Sequence, residues 1–405
     1  MEVSIFEACK IINSINFKPI LEIEPIENCL NRVVAENIYA KMSLPRFNNS
    51  AMDGYGIKIK NSNFELKVVD CIYAGLTTDR EIGENECIKI MTGARVPSSV
   101  EAIIPKEDCR EIDGKIVIEK SFKLNQHIRF IGEDVSENEL LIAEGEKINY
   151  SHIGLLASQG ITHLRIYKKP KVAIFGTGEE IKYHYESLEP SQIYNSNTPS
   201  MLKQAENYGA LSVFLGNIKD NKKDLLNLVE NLQNFDMIVT SGGVSVGDKD
   251  FTKDVFLESG MELFFDKIEM KPGKPTTFGK INNCFILNLP GNPLACMVNF
   301  NIFGRLIINN LLKLKSKNLS FIETKISSDF YLKKGRDSVI CGFFDGCKFH
   351  VSEKNSPGMV SVISKCNGAI IVDKSRDSFK VNESVKFLPF NFEFLADEFL
   401  DFITK

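Results

Sequence analysis

Apolar residues recur at helical spacing over residues 4–16, where Ile5, Ala8, Cys9, Ile12 and Ile15 share one face. The same spacing predicts two more short helices, near 27–39 and from Ser151 through Ile153, Leu155 and Leu156. Between them, residues 42–141 read as short strands at 67–69, 87–90, 102–104 and 115–118, split by turn residues. That pattern is a β-rich insertion in an otherwise helical region. From residue 170 strands and helices alternate. A strand at 172–175 ends in Gly176-Thr177-Gly178, and Thr198-Pro199 caps a helix running to about Gly209. A strand at 211–215, a helix at 222–233, a strand at 237–240, a glycine loop and a helix after Thr252 follow. A strand at 285–289 then leads through Pro290-Gly291-Asn292-Pro293 into a long apolar helix to about Leu314. Alternation of this kind predicts a mostly parallel sheet with helices on both faces, a three-layer α/β domain. After a polar linker at 315–318, residues 320–390 alternate apolar and polar with turns at Gly335, Asp345-Gly346 and Pro357-Gly358, as a small β-barrel or sandwich does. Leu395, Phe399, Phe402 and Ile403 lie on one face of an amphipathic tail helix that packs on the body or on a partner.

The length of 405 residues corresponds to two to four domains. The apolar fraction of 43% and charged fraction of 25% exclude disorder, collagen and coiled coil for the chain as a whole. With 49 basic and 53 acidic residues the net charge is −4, so no global field holds nucleic acid or an anionic membrane. Any anion is held by local groups. The start, Met1-Glu2-Val3, does not read as a signal peptide, and no run of about eighteen apolar residues predicts a membrane span. Ten cysteines are scattered, no two are separated by two residues, and the histidines do not cluster with them. They read as reduced thiols packed as small hydrophobes in a cytoplasmic protein, not as a zinc site.

The chemistry resides in loops. Ligands of an open parallel sheet lie outside the C-terminal strand ends. Three such ends carry unusual loops here: Gly176-Thr177-Gly178-Glu179-Glu180, Ser241-Gly242-Gly243-Val244-Ser245-Val246-Gly247-Asp248, and Pro290-Gly291-Asn292-Pro293. Glycines let main-chain N–H groups approach an anion, and the following helix N-termini add positive potential. Gly242 and Gly247 have the Walker spacing, but Asp248 replaces the lysine; Gly176 and Gly178 begin a dinucleotide fingerprint, but Ile181 replaces its last glycine. Lys271-Pro272-Gly273-Lys274-Pro275 sets two lysines about a restrained turn, a candidate phosphate clamp, with Lys267 upstream. Glu179, Glu180, Asp220, Asp248 and Asp250 near the sheet edge, with Asp53 and Asp134 from the insertion, supply carboxylates that a hard cation such as Mg²⁺ would bridge to phosphate. The stretches 44–56, 90–97 and 128–135 add hydroxyl, carboxylate and guanidinium groups, and on residue chemistry alone read as surface turns.

Six motifs together change that reading: Asn49-Ser50-Ala51-Met52-Asp53-Gly54-Tyr55, Met91-Thr92-Gly93-Ala94, Ile128-Arg129 with Gly132-Glu133-Asp134, the Ser241 to Gly247 loop, Lys271-Pro272-Gly273-Lys274-Pro275, and Leu289-Pro290-Gly291-Asn292-Pro293. In order and spacing they resemble the molybdopterin molybdenumtransferases, the bacterial MoeA proteins and the E domain of gephyrin, over nearly the whole chain. The resemblance implies an L-shaped homodimer. It implies an elongated helical region from 1–41 and 142–169, a β-rich inserted domain at 42–141, an α/β molybdopterin-binding domain at 170–314 and a C-terminal β-domain at 319–392; the tail at 393–405 falls outside it. The implied reaction inserts molybdate, a co-substrate, into adenylylated molybdopterin and releases AMP with Mg²⁺. The implied partners beyond substrate are a molybdopterin adenylyltransferase and apo-molybdoenzymes, in transient contact. Carried over by motif position, Asp53, Thr92, Arg129, Asp134, Glu180 and Asp250 are implied as catalytic, with Asp250, Glu180 and Asp53 on the metal. Gly242, Gly243, Ser245, Gly247, Lys271, Lys274, Pro290, Gly291, Asn292, Asp220 and Ser50 are implied to bind substrate, and Arg336 and Ser356 to reach the cleft of the partner subunit. Tyr194-Asn195-Ser196-Asn197 has asparagine where an acid is frequent, and Pro357-Gly358 alters the C-terminal small-residue loop. Three competing readings are a molybdopterin adenylyltransferase, a small protein without the 50–55 segment and the C-terminal β-domain; a gephyrin-like scaffold, which carries long linkers and an extra domain; and a nucleotide-processing protein of the competence-damage-inducible group, which shares only the α/β domain and against which residues 1–97 argue.

Overall fold

The computed structural model describes residues 1–60, 65–218, 222–242 and 251–391. The first helix runs Ile5–Ser14 and opens with a capping box: Glu7 N donates to Ser4 Oγ at 3.2 Å, and Ser4 N donates to Glu7 Oε2 at 2.8 Å. The second, Tyr150–Ser158, is capped by Asn149. The helix expected near 27–39 is absent. A 3-10 turn at Ile26–Asn28 and a strand at Ile38–Tyr39 replace it. Ile26, Cys29, Val33, Val34 and Ile38 are all buried, and their spacing imitates a helical face. Asn31, however, adopts φ of 62°, and the β-branched Val33 and Val34 form bridges to Lys147 and Ile166. With antiparallel pairs Leu21–Pro25 to His163–Tyr167 and Ile38–Tyr39 to Leu140–Ile142, the elongated part is a mixed region rather than the helical one expected.

The insertion is a six-stranded sheet in the order Ala102–Pro105, Gly54–Ile57, Glu86–Ile90, Glu65–Ile72, Lys115–Ile118, Cys109–Ile112. All four expected strands are present. Gly54–Ile57, read from sequence as part of a surface loop, is a buried inner strand. A Cβ on Gly54 would lie 2.0 Å from Ile104 O, so only glycine permits this strand contact.

The α/β sheet runs Leu211–Ile218, Lys171–Thr177, Met237–Ser241, Cys284–Leu289, all parallel, then Thr277–Ile281 and Glu262–Phe265, each antiparallel to its neighbour. Alternate residues feed two cores. Val172, Ile174, Met237, Val239, Phe285 and Leu287 pack with Met201, Leu294 and Phe303 on one face; Ala173, Phe175, Ile238 and Ile286 pack with Leu225, Leu228, Val255 and Phe256 on the other. The long helix spans Pro293–Leu311 with a π turn at Phe300–Gly304. By length and mean hydropathy it could cross a membrane, but Asn299, Asn301, Arg305, Asn309 and Asn310 interrupt its apolar residues, as the expectation of no unbroken apolar run had it, and 94% of its most apolar stretch is buried in the protein, as a core helix is.

The C-terminal β-domain closes on itself. Asp337–Phe344 pairs with both Lys348–Val351 and Gly368–Val372, while Ile322–Ile326 and Ser384–Pro389 complete a five-stranded barrel. Met270–Lys271 adds parallel to Asp337 and Ser338, joining the lysine turn to the barrel. The amphipathic tail expected at 393–405 lies outside the described residues.

Candidate active site

The three strand-end loops converge. Gly242 N donates to Leu289 O at 3.1 Å, and a Cβ on Gly242 would meet Thr177 O at 2.7 Å. Asn197 ties the second loop to the third: its Nδ2 donates to Ser241 Oγ at 2.7 Å and to Gly291 O at 2.8 Å. Together these loops frame a cleft of about 920 Å³, lined by Thr177, Gly178, Glu180, Ser241, Gly242, Pro275, Pro290, Gly291 and Asn292, with Ile181, Tyr194, Asn195 and Asn197 opposite. The helices Asn197–Asn207 and Pro293–Leu311 both begin at this cleft, so their positive dipole ends face it, although Thr198 N donates to Asn195 Oδ1, Leu294 N is taken up elsewhere, and Pro199 and Pro293 carry no N–H. Glu180 is the only charged side chain among the described lining residues. The described lining thus carries one carboxylate and no basic side chain.

The lysine turn flanks the cleft rather than lining it with ammonium groups. Pro275 reaches the wall. Lys274 Nζ pairs with Glu2 Oε1 at 2.6 Å, on the N-terminal strand that runs parallel to Lys267–Ile268. Lys271 opens into a second pocket of about 190 Å³, shared with Lys333, Ser338, Tyr331, Asn355 and Pro357 of the barrel. The barrel also borders the main cleft. Leu294 N donates to Pro357 O at 3.0 Å, and Gly358 and Val360 line the wall. So the altered Pro357-Gly358 loop faces the cleft of its own chain. Ser356 is exposed next to it, and Arg336 is exposed beside Ser338, whose hydroxyl donates to Arg336 O at 3.3 Å.

A second constellation lies in the inserted region. Asp53 Oδ1 accepts from Thr92 N at 2.7 Å and from Thr92 Oγ1 at 2.8 Å. These two bonds, with the positive charge of Lys106, hold the Asp53 carboxyl below the usual carboxylate range. Arg129 pairs across strands with Asn49, and Ile128 with Ser50. Arg129 and Asp134 are exposed. Ser50 is fully buried, and its hydroxyl donates to Met52 O within the turn. No hydrogen bond or ion pair among the described residues joins Asp53, Thr92, Arg129 or Asp134 to a residue lining the cleft. Among the described residues the two groups share no bond and no lining residue.

Comparison with known proteins gives the arrangement a family. Residues 3–160 match the model of the MoeA N-terminal region (domain I and II), and residues 173–310 match that of a probable molybdopterin binding domain. A molybdopterin molybdenumtransferase from Staphylococcus epidermidis is 30% identical over 384 residues, 89% of each chain. The chain belongs to the MoeA family of molybdopterin molybdenumtransferases. A molybdopterin molybdenumtransferase from Staphylococcus aureus is 31% identical over 79% of this chain and 78% of its own. The crystal structure of the molybdopterin biosynthesis MoeA protein from Pyrococcus horikosii superposes with a TM-score of 0.83 at 28% identity, over 97% of this chain and 100% of that one.

Within this MoeA-family chain, Gly243, Ser245, Gly247, Asp248, Asp250 and Asp220 lie outside the described residues. Among those described, no group of three or more His, Cys, Asp or Glu side chains forms a metal cluster. Mg²⁺ commonly takes one or two protein carboxylates and completes its shell with substrate phosphates and water. Glu180 in an otherwise neutral cleft fits an ion held in that way. The sequence reading missed Asn197, although it noticed the motif around it. Its Oδ1 is buried and has no partner among the described residues. Asn195, in the motif where an acid is frequent, uses its amide as a donor to Thr198 Oγ1 at 2.9 Å and Asn217 Oδ1 at 2.8 Å. A carboxylate there could donate neither bond and could only accept from the Thr198 hydroxyl.

Proposed function

We propose that this chain inserts molybdate into adenylylated molybdopterin and releases AMP. The observation that carries the reading is the meeting of three glycine- and proline-bearing strand ends in one cleft, with two helix N-termini directed at it. The phosphoanhydride of the substrate suits those positive dipole ends. Gly242, Pro290, Gly291 and Asn292 hold it there, and Lys271 and Lys274 balance charge at the flank. The pocket shared by Lys271, Lys333 and Ser338 is of a size for a tetrahedral oxyanion beside the cleft. Glu180 would hold Mg²⁺ against the substrate phosphates, where the ion offsets negative charge.

Asp53, Thr92, Arg129 and Asp134 complete the site in this reading. They add a guanidinium group, which the described cleft lining lacks, and a further pair of carboxylates and a hydroxyl, yet they share no bonded partner with the cleft in one chain. A homodimer in which the inserted region of one copy faces the cleft of the other supplies both. In that arrangement Thr92 holds Asp53 ionised as a proton acceptor, and Arg129 steadies charge developing on the phosphoryl oxygens. A water that loses its proton to Asp53 attacks the adenylyl phosphorus, a new P–O bond forms as the anhydride bond breaks, the bridging oxygen departs with the molybdopterin phosphate, and the attacked phosphorus is released as AMP. Purified protein mixed with adenylylated molybdopterin, Mg²⁺ and molybdate is expected to release AMP only when molybdate is present. AMP release indifferent to molybdate, or none at all, would refute the proposal.

A further inference from the structure

Lys271 and Lys274 reach different neighbours, the barrel pocket and Glu2, so the backbone between them has to be fixed from below. Asn299 and Thr276 lie there, and both are completely buried. The Thr276 hydroxyl is 2.9 Å from Gly273 O and 3.0 Å from Asn299 Oδ1, so its single proton is shared between two acceptors. Asn299 Nδ2 donates to Ala295 O at 2.7 Å, which fixes the orientation of the amide. The amide presses directly on the turn: a Cβ on Gly273, whose φ is 110°, would lie 1.8 Å from Asn299 Nδ2. Asn299 ends the regular α-segment Pro293–Asn299, and a π turn begins at the next residue. π turns within helices are frequent at functional sites. Buried polar groups nearly always have a hydrogen-bond partner, and this pair finds its partners at the lysine turn and in each other.

We propose that Thr276 and Asn299 are positioning residues for the anion clamp. They hold the Gly273 carbonyl and thereby the separation of the Lys271 and Lys274 ammonium groups. The inference rests on the functional reading above, in which those lysines face the anionic groups of substrate. Neither Thr276 nor Asn299 touches substrate, because neither has exposed surface. Thr276→Val keeps the shape and removes the hydroxyl. It is expected to raise KM for adenylylated molybdopterin about five- to tenfold, the size of one buried hydrogen bond, with kcat within twofold. Thr276→Ser keeps the hydroxyl and is expected to match wild type. Calorimetric titration with pyrophosphate provides a second readout and should show the same ordering, and thermal melting of each variant checks folding. Should Thr276→Val not melt cooperatively, Thr276→Ala takes its place in the same comparison. An unchanged KM and pyrophosphate affinity in the hydroxyl-free variant, or an equal loss in Thr276→Ser, overturns the proposal. Wild-type protein run in parallel separates the two claims: absent molybdate-dependent AMP release removes the functional reading, whereas normal wild-type turnover with an unaffected Thr276→Val removes only the positioning role.

Discussion

Replacing Gly242 by alanine tests the convergence of the strand ends at a single atom. Gly242 has φ of 98°, and an added Cβ would lie 2.7 Å from Thr177 O and 2.9 Å from Thr177 Oγ1. The left-handed backbone costs about 1–2 kcal/mol for a residue with a Cβ. Forcing two strand ends apart adds roughly 1–3 kcal/mol, the usual range for overpacking. Gly260 provides the control. It closes the Phe251–Glu258 helix with φ of 85° and has no atom within 4 Å of an added Cβ. Gly260→Ala therefore incurs the conformational cost alone. The two variants should differ by about 1–3 kcal/mol, or roughly 2–12 °C in the melting of a domain of this size. Circular dichroism melting gives that comparison, and molybdate-dependent AMP release gives the other half. Displacement of about 1 Å at a positioning loop costs on the order of a hundredfold in rate, so Gly242→Ala should lose most activity while Gly260→Ala keeps it. Equal melting and equal turnover for the two variants would show that the Thr177 and Gly242 loops do not meet as described.

Two further outcomes follow from the titrating groups. Thr92→Val removes the hydroxyl bond to Asp53 and leaves the backbone one, so the Asp53 carboxyl should titrate closer to its ordinary range. A depressed carboxyl pKa keeps Asp53 charged as pH falls below the ordinary value; the acid limb of AMP release should therefore move to higher pH in the variant, and an unmoved limb would take Asp53 out of the reaction. Burial pushes the thiols of Cys87, Cys284, Cys296 and Cys341 up to about 12, whereas Cys347 is exposed. Alkylation of the native protein followed by mass spectrometry should mark Cys347 first, and early modification of Cys296 would contradict the packing.

Legibility in the sequence followed the physics of each element. The parallel strands were readable because consecutive apolar residues serve two cores, as Val172 and Ala173 do. The inner strand Gly54–Ile57 was not, because its two glycines hide the alternation that marks a strand, and what crowds them is a neighbour distant in sequence, Ile104 for Gly54 and Val100 for Gly56. The antiparallel pair Glu262–Phe265 and Thr277–Ile281 was hidden in a basic stretch whose lysines drew the eye to surface chemistry. Near 27–39 the error ran the other way. Buried residues at helical intervals came from a chain that bends at Asn31 and bridges to two different segments, and periodicity alone does not distinguish a helix from such a path.

The site was legible as a set of groups and not as a set of partners. Glycine, proline and lysine motifs announce where backbone approaches an anion, since the demand for φ above zero or a fixed turn is local. What those motifs press against is set by residues distant in sequence, and nothing local encodes it. Lys274 finds Glu2 from the start of the chain, Gly273 finds Asn299 in the core helix, and Ser241 finds Asn197. Each partner is an unremarkable residue by type. Glu2 shows why this matters for function. The ion pair with Lys274 leaves both side chains 36% exposed, so water screens it and it contributes little to stability. An anion arriving at the turn meets an ammonium group already held in place, at the cost of a nearby carboxylate. The same pair that fixes the lysine also weakens its field, so in the proposed clamp affinity would depend on the precision of the turn beneath it, where Thr276 and Asn299 are bonded.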